Sequence, residues 1–186
     1  SFLMKIFYKI FYNSCNICLV FSKKHKIDVL QSTNINKDKI KIVENPINIE
    51  EINYLSKKKI KKKYIKFFPT NTKKFLILGS LSYQKGIDII LNSLKFCKKN
   101  FIINIIGKGS DYNNLKNIIK KEKLEKKVNL IPFQNNPFPY IKSSDSLLFP
   151  SRFEGMSNIT LEVLALNKPI IYLNNPGAST EILKNV

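Results

Sequence analysis

The second half of the chain alternates short, continuous apolar runs with stretches in which apolar residues recur at helical spacing. The continuous runs predict buried strands over 75–79, 101–106, 128–131, 146–149 and 169–173. Helical spacing between the runs predicts helices over 86–98, 111–123, 137–143 and 157–166. Strands that are apolar throughout and alternate with helices are typical of a parallel sheet covered on both faces. The predicted fold class is therefore α/β, with a Rossmann-like, doubly wound parallel sheet.

The first part of the chain predicts a partial second α/β domain. Its predicted elements are a helix over 2–13, a buried strand over 17–21, a helix over 23–31 capped by Ser22, and a strand over 39–43. A stretch rich in Lys and Asn follows, with little periodicity. We therefore expect three parts, with 1–50 as the end of one domain, 51–74 as a Lys-rich linker and 75–186 as a second domain cut short at its end. Because the chain starts at Ser1 and stops at Val186, soon after a helix-like start, we expect a fragment of a longer protein.

Glycine, lysine, aromatic and acidic residues lie where the predicted strands of the second domain end. Gly79 and Lys85 follow the first strand, 107–109 follow the second, Phe133 follows the third and 152–158 follow the fourth. Ligands of open parallel sheets bind beyond the carboxyl ends of the strands. The sequence therefore predicts a ligand site at this edge of the sheet.

Two acidic residues, Glu154 and Glu162, flank the predicted start of a helix that Gly155–Asn158 open. Free N–H groups at a helix start attract an anion such as phosphate. If the whole segment were helical, the two carboxylates would be about 12 Å apart along the axis. The carboxylates of a glycosidase are only ~5–9.5 Å apart. The spacing therefore favours two contacts along an extended ligand, and the alternative is two helix acids that bind no ligand.

Two further features concern the same ligand. Gly107-Lys108-Gly109 lacks the third glycine of a dinucleotide fingerprint because Tyr112 occupies that position, so NAD binding is not supported. The alternative for these glycines is a tight turn between a strand and a helix. Lys85 is placed to neutralise a diphosphate leaving group.

The chain carries a formal charge of +19, from 32 basic and 13 acidic residues. Arg152 is the only arginine, although arginine is the residue that makes bidentate contacts with bases and phosphates. This bias towards lysine and the lack of interleaved aromatic residues argue against specific nucleic-acid recognition. The lysine run at 57–66 is either a solvated surface or a contact with an anionic membrane.

Cysteine content and hydropathy indicate the compartment. Cys15 and Cys18 have C-x-x-C spacing, but only Cys97 remains besides them, so no zinc site is complete. The odd number of cysteines and the lack of a signal peptide favour a reducing compartment, the cytoplasm. Since no apolar run reaches the ~18 residues of a membrane span, we expect at most peripheral contact with the inner face of the membrane.

Several motifs together resemble the retaining glycosyltransferases of family 4, which have the two-domain GT-B fold. The motifs are 78–86, 105–109, 149–162 with its E-x7-E pattern, 167–171 and 177–181. Their order and spacing match the donor-binding domain of that family over about residues 75–186. Upstream, 17–22 and 39–46 resemble the last part of its acceptor domain.

The resemblance implies a role for each matching residue. Lys85 and Glu154 would be catalytic, with Lys85 binding the donor diphosphate and Glu154 orienting the donor sugar near its anomeric carbon. Glu162 would accept hydrogen bonds from the ribose hydroxyls, and the loop at Phe133 would border the base. The other donor-binding positions would be Gly79, Ser80, Gly107, Gly155, Met156, Ser157 and Asn158, the last four through backbone N–H groups that hold the diphosphate.

The resemblance also implies the reaction. A hexosyl or N-acetylhexosaminyl group would move with retention from a nucleotide-diphosphate sugar, most simply UDP-linked, to a glycan or lipid-linked acceptor. No cofactor or metal is implied, since Lys, Arg and a helix dipole take the place of the metal. Because the acceptor domain is incomplete, we expect the chain alone to be inactive.

One position departs from the family. Where its members usually have Arg immediately after the glycine of the first motif, this chain has Ser80. The diphosphate then loses one bidentate partner. Weaker donor binding, a substitute lysine or reduced activity would follow.

Two alternatives to a transferase are open. A sugar-nucleotide epimerase or a phosphorylase would share the fold, but each needs different catalytic groups, and the E-x7-E context argues against both. A basic module that binds a membrane surface or another polyanion is the other alternative, because of the net charge and the lysine run at 57–66.

Overall fold

Residues 2–43 and 45–173 are described by the computed structural model, and they form two units. The first unit holds the described residues up to Pro46 together with Glu154–Ser157. The second unit holds Ile47–Phe153 and 158–173. Within the described ranges, no helix has both the length and the hydropathy that a membrane span requires.

The first unit contains a two-stranded parallel sheet. Its elements are α1 (Phe2–Ser14), β1 (Cys18–Val20), α2 (Lys23–Ser32) and β2 (Ile40–Ile42). All four predicted elements are confirmed, and so is the cap of α2, where the Ser22 hydroxyl accepts a hydrogen bond from the N–H of His25. The expectation of a buried strand is wrong for one face of β1, because Leu19 is 59% exposed.

The second unit contains a five-stranded sheet in which every neighbouring pair of strands is parallel, in the order β5-β4-β3-β6-β7. Its elements are α3 (Ile49–Ser56), β3 (Lys73–Ser80), α4 (Ile87–Ser93), β4 (Phe101–Lys108), α5 (Tyr112–Lys121), β5 (Val128–Pro132), α6 (Phe138–Lys142), β6 (Ser146–Phe149), α7 (Asn158–Ala165) and β7 (Ile170–Tyr172). The predicted α/β class and parallel sheet are confirmed.

The central strands β3, β4 and β6 are largely buried on both faces, which explains their continuous apolar runs, whereas Ile171 of the edge strand β7 is 54% exposed. Successive side chains of a strand point to opposite faces. In β3, Ile77 belongs to the apolar cluster that contains Ile87 and Leu91 of α4, whereas Leu76 and Leu78 belong to a second cluster. Ile87 and Leu91 are 2% and 0% exposed, so the predicted apolar stripe of this helix faces the sheet.

Residues 51–74, expected from their composition to be a linker, are folded into the second unit instead. Tyr64 is 8% exposed and lies in the same apolar cluster as Leu76. The buried Asn104 side chain donates a hydrogen bond to the carbonyl of Phe67 at 2.9 Å. The many lysines of this stretch keep their charged ends in solvent while the apolar residues between them pack inward. For that reason the lysine-rich composition did not indicate that some residues of this stretch are packed in the core.

Candidate active site

The carboxyl ends of β3 and β4 lie close together through paired glycines. Gly79 and Gly107 are register partners. A Cβ at Gly107 would lie 2.0 Å from the carbonyl oxygen of Gly79, and Gly79 itself has a φ of +138°. Both the close contact and the positive φ demand a residue without a side chain. Glycine is therefore required at both positions by the backbone itself.

A pocket of about 460 Å³ opens at this edge of the sheet. Its lining residues are Leu78, Gly79, Ser80, Ile106, Lys108, Phe133, Gln134, Asn135, Pro137, Phe138, Ile159 and Glu162. Apolar side chains dominate the wall, and the ring of Phe133 is 53% exposed. Of the sequence-predicted donor-binding residues, Gly79, Ser80, Phe133 and Glu162 are brought together here. Such a pocket suits a ligand with a flat apolar part and a few polar groups.

Lys85 lies beside the same strand end. A 3₁₀ turn over Tyr83–Lys85 follows β3, and the Lys85 side chain passes next to Gly79, with Cε 3.3 Å from the point where a Gly79 Cβ would lie. The Lys85 ammonium is 5.5 Å from the centre of the Phe149 ring at the end of β6. Lys85 therefore lies at the carboxyl edge of the sheet, where its position in the sequence predicts it.

Glu162 projects from α7 and is the only carboxylate in the pocket lining. Burial raises the pKa of this carboxyl above its usual value. In the folded chain the charged carboxylate is less well solvated than in the unfolded chain. A hydrogen-bond donor next to it would stabilise the charged form. A ligand hydroxyl could supply that donor. Elsewhere in the described residues, no three His, Cys, Asp or Glu side chains are grouped so that they could hold a metal ion.

Arg152 joins the loop after β6 to the turn after β3. Its guanidinium makes two hydrogen bonds to the Asp88 carboxylate, at 2.8 and 2.6 Å, and lies 4.0 Å from the centre of the Tyr83 ring. The backbone N–H of Arg152 donates a hydrogen bond to the Gln84 carbonyl at 2.8 Å. The Gln84 side chain in turn donates a hydrogen bond to the Phe153 carbonyl at 3.1 Å. We call this set of contacts the Arg152 clasp. It ties together the two loops that carry Lys85 and Phe153.

Sequence reasoning missed the clasp and counted Arg152 among the cations that would replace a metal. The structure instead engages its guanidinium with Asp88, whose pKa the Arg152 hydrogen bonds lower. The two residues are 64 positions apart, so no local spacing could pair them. A weak signal for a special role of Arg152 was available, because it is the only arginine of the chain and comes soon after the predicted strand over 146–149.

The segment Glu154–Ser157 differs from its prediction. α7 begins at Asn158, so Gly155–Ser157 precede the helix instead of opening it. The condition under which the two carboxylates would be about 12 Å apart, a helix running from Glu154 to Glu162, is therefore not met, and that axial separation does not apply. By its contacts Glu154–Ser157 belongs to the first unit, whereas every lining residue of the pocket belongs to the second. The predicted motif at 177–181 lies outside the described residues.

Ser80, the position that departs from the family, lies at the end of β3 with its hydroxyl 3.3 Å from that of Ser82. Its register partner on β4 is Lys108, which belongs to the 107–109 stretch predicted at this edge but received no role of its own from the sequence. The Lys108 ammonium lies 5.1 Å from the centre of the Phe133 ring. In the sequence Lys108 comes just after the predicted strand over 101–106, but only the register of β3 with β4 places it beside Ser80.

A family model for glycosyl transferases group 1 matches residues 56–186. An uncharacterized glycosyltransferase of Methanocaldococcus jannaschii is 32% identical over 179 residues, which are 95% of this chain and 44% of the relative. A Campylobacter jejuni enzyme, N-acetylgalactosamine-N,N'-diacetylbacillosaminyl-diphospho-undecaprenol 4-alpha-N-acetylgalactosaminyltransferase, is 28% identical over 98% of this chain and 48% of its own length. The chain thus spans about half the length of these curated relatives.

Solved structures share the fold. Anabaena Alr3699/HepE in complex with UDP-glucose superposes with a TM-score of 0.81 at 17% identity, over 98% of this chain and 51% of that one. A glycosyltransferase from Rickettsia africae gives a TM-score of 0.78 at 21% identity, over 94% of this chain and 50% of that one. At these identities the likeness concerns the fold, and the neighbours are glycosyltransferases of the GT-B type.

Proposed function

The chain belongs to the glycosyl transferases group 1 family, and from that premise we propose that its second unit binds the nucleotide-sugar donor of a glycosyl transfer reaction. The observation that carries the proposal is the pocket at the carboxyl ends of β3, β4 and β5. It combines apolar walls, an accessible aromatic ring and a half-buried carboxylate, and Lys85 lies beside its rim.

The parts of the donor are assigned to the pocket by their chemistry. The base lies against Phe133, because an exposed aromatic ring offers a stacking surface. The ribose hydroxyls donate hydrogen bonds to Glu162, whose half-buried carboxylate is partly shielded from solvent. The diphosphate extends towards Lys85. The Lys85 ammonium neutralises the negative charge that develops on the diphosphate as its bond to the sugar breaks.

The loop before α7 completes the reaction in this proposal. Glu154 orients the donor sugar near its anomeric carbon, and the N–H groups of Gly155–Asn158 hold the diphosphate. The sugar is transferred with retention of configuration, and lysine and backbone N–H groups perform the charge neutralisation that a metal would otherwise perform. The family to which the chain belongs supports this assignment.

The donor is proposed to be UDP-linked and its sugar to be a hexose or N-acetylhexosamine. Alr3699/HepE was solved with UDP and with UDP-glucose, and the Campylobacter relative is named as a transferase of N-acetylgalactosamine. That relative's name also includes a diphospho-undecaprenol acceptor, which supports a glycan or a lipid-linked glycan as the acceptor. The stretch predicted from sequence as residues 1–50, of which 47–50 belong to the second unit, is then proposed to be the end of the acceptor-side domain.

Calorimetric titration of the chain with UDP tests the proposal. We expect the wild type to bind UDP and Glu162→Ala to bind at least about tenfold more weakly, because the ribose loses a charged acceptor. Glu125→Ala removes an exposed acid outside the pocket and serves as the matched control, with unchanged affinity. Absence of UDP binding by the wild type, or equal binding by wild type and Glu162→Ala, would contradict the proposal.

Transfer and epimerisation are distinguished with a protein that contains this chain and spans the full length of its relatives. Incubated with UDP-sugar alone, a transferase leaves the sugar's stereochemistry unchanged and requires an acceptor for turnover. An epimerised sugar nucleotide formed without acceptor would favour the epimerase instead.

A second candidate function, contact with an anionic membrane, is favoured by a lysine-lined cleft. The cleft has a volume of about 730 Å³ between the end of α3 and α6. Its lining residues are Ser56, Lys58, Lys59, Ile60, Lys62, Ile65, Pro139, Lys142 and Ser143. Ile65 is 55% exposed. Lysines around exposed apolar side chains match the surface of an anionic bilayer, at about 1 kcal/mol for each lysine near the headgroups.

Sedimentation with phosphatidylglycerol-containing vesicles at physiological salt tests the lysine-lined cleft. The test variant carries Lys58→Gln, Lys59→Gln, Lys62→Gln and Lys142→Gln. The control variant carries the same charge change on another surface, with Lys98→Gln, Lys99→Gln, Lys120→Gln and Lys121→Gln. We expect the wild type and the control variant to sediment and the test variant to stay in the supernatant. Equal sedimentation of both variants would show that the net charge of the chain, and not the lysine-lined cleft, determines vesicle binding. Absence of sedimentation by the wild type would contradict membrane contact altogether.

A further inference from the structure

The pocket lining contains one cation. Among its lining residues Lys108 is the only basic side chain and Glu162 the only acidic one, with apolar or neutral residues between them. Lys108 is exposed, and no carboxylate among residues 2–43 and 45–173 lies within 4.0 Å of its ammonium. Its charge is therefore available to an anionic ligand.

The backbone holds Lys108 firmly although its side chain is exposed. Lys108 is the last residue of β4 and pairs with Ser80 in register. Its carbonyl accepts a hydrogen bond from the N–H of Leu81 at 2.9 Å. Gly107, the preceding residue, pairs with Gly79, against which the Lys85 side chain packs. Lys85 and Lys108 therefore both belong to the same pair of strand ends.

The ammonium of Lys108 lies over the ring of Phe133, 5.1 Å from its centre. This cation–π contact is at an exposed site and is a weak interaction. A charge-assisted hydrogen bond to a phosphate oxygen is stronger. An anion that enters the pocket can therefore draw the ammonium away from the ring.

We propose that Lys108 is a phosphate-binding residue of this pocket and covers the face of Phe133 until a nucleoside diphosphate enters. The inference rests on the proposed function. When the diphosphate arrives, the Lys108 ammonium transfers from the ring to a phosphate oxygen. The ring face that it leaves is then open to the base. Lys108 in this way supplies at the end of β4 a cation that Ser80, its partner on β3, does not supply.

Titration with uridine and with UDP tests the inference, because the two ligands differ only in the diphosphate. We expect Lys108→Met to bind UDP about tenfold more weakly than the wild type, the loss typical of one hydrogen bond to a charged group. Uridine should bind Lys108→Met at least as tightly as the wild type, since the ring is already uncovered. Lys108→Arg, which keeps the cation, should bind UDP within about twofold of the wild type.

The matched control is Lys95→Met. The Lys95 ammonium also lies 5.1 Å from the centre of an exposed ring, that of Phe96, but neither residue lines the pocket. We expect its affinities for UDP and uridine to equal those of the wild type. Circular dichroism and thermal unfolding of each variant verify that the fold is intact.

The outcomes separate the two proposals. If the wild type binds neither UDP nor uridine, the proposed function fails and the role of Lys108 fails with it. If the wild type binds UDP but Lys108→Met binds UDP equally well, or loses uridine and UDP affinity by the same factor, the role of Lys108 is overturned and the donor pocket stands.

Discussion

At the scale of single residues, the burial of Glu162 has opposite effects on the stability of the fold and on the proposed binding of the ligand. Burial raises the pKa of its carboxyl, so the folded chain retains the proton at pH values where the unfolded chain has lost it. The folded state therefore binds more protons within this window, and this residue's contribution to stability falls as pH rises through the window. Above the raised pKa the charged carboxylate destabilises the folded chain. A ligand that donates hydrogen bonds to it relieves that cost.

Glu162→Gln separates the two effects because it keeps the shape and removes the charge. We expect its melting temperature at pH 7 to exceed that of the wild type by about 2–4 °C, which corresponds to ~1 kcal/mol in a chain of this length. The difference should shrink as pH falls through the raised pKa. UDP affinity should fall at the same time. A variant that melts below the wild type at neutral pH would contradict this account of Glu162.

The position of a residue at the sheet edge was predictable from sequence where that residue comes soon after a recognisable strand. Lys85 and Phe133 could be assigned to the sheet edge in this way, since each is near the end of a recognisable apolar run. Lys108 was also at a strand end but stood among 31 lysines, and only the register of β3 with β4 distinguishes it.

At the scale of elements, the Arg152 clasp fixes two loops that the sheet alone would leave independent. The turn after β3 and the loop after β6 come from neighbouring strands. Their backbones and side chains are joined by the bonds of Arg152 and Gln84. Both loops lead to residues with proposed roles, Lys85 and Glu154. In the proposed function, the clasp would therefore position the turn that carries Lys85 without itself contacting the donor.

We expect Arg152→Met to lower the melting temperature by about 4 °C, because it removes a bidentate pair and a further bond to the Tyr83 carbonyl, together worth ~1–2 kcal/mol. The Arg152 hydrogen bonds lower the pKa of Asp88, so this stability is present above the ordinary Asp pKa and is lost as pH falls through the lowered value. The difference between wild type and variant should therefore shrink in acid.

Lys73→Met is the control for the clasp. Lys73 also pairs with an aspartate, Asp145, but at 3.6 Å and with a side chain that is 74% exposed. Such surface pairs contribute little, so we expect its melting temperature to stay within about 1 °C of the wild type. If Lys73→Met and Arg152→Met lowered the melting temperature equally, the clasp would have no special role.

Elements were predicted well where burial dictates a pattern and poorly where contacts are distant. Five apolar runs sufficed for the five strands of the large sheet, since burial of a strand on both faces favours apolar residues at successive positions. The helix predicted over 86–98 is shorter in the structure, where α4 ends at Ser93 and a 3₁₀ turn over Leu94–Phe96 follows. Phe96 of that turn is 81% exposed.

At the scale of the whole molecule, composition was the least reliable guide. The lysines of 51–74 predicted a linker, but Ile52 and Tyr64 of that stretch are buried in the second unit. Hydrophobic pattern identified the parallel sheet, and motif order indicated the family whose model matches residues 56–186. Four of the lysines that contribute to the net charge of +19 line the lysine-lined cleft.

The central claim is that the pocket at the carboxyl edge of the second unit holds a nucleoside diphosphate. A crystal structure of the chain with UDP tests it most directly. We expect the uracil on the face of Phe133, the ribose hydroxyls within hydrogen-bond distance of Glu162, and the diphosphate between the ammonium groups of Lys85 and Lys108. UDP bound elsewhere on the chain, or bound in this pocket with its diphosphate remote from both lysines, would contradict the claim.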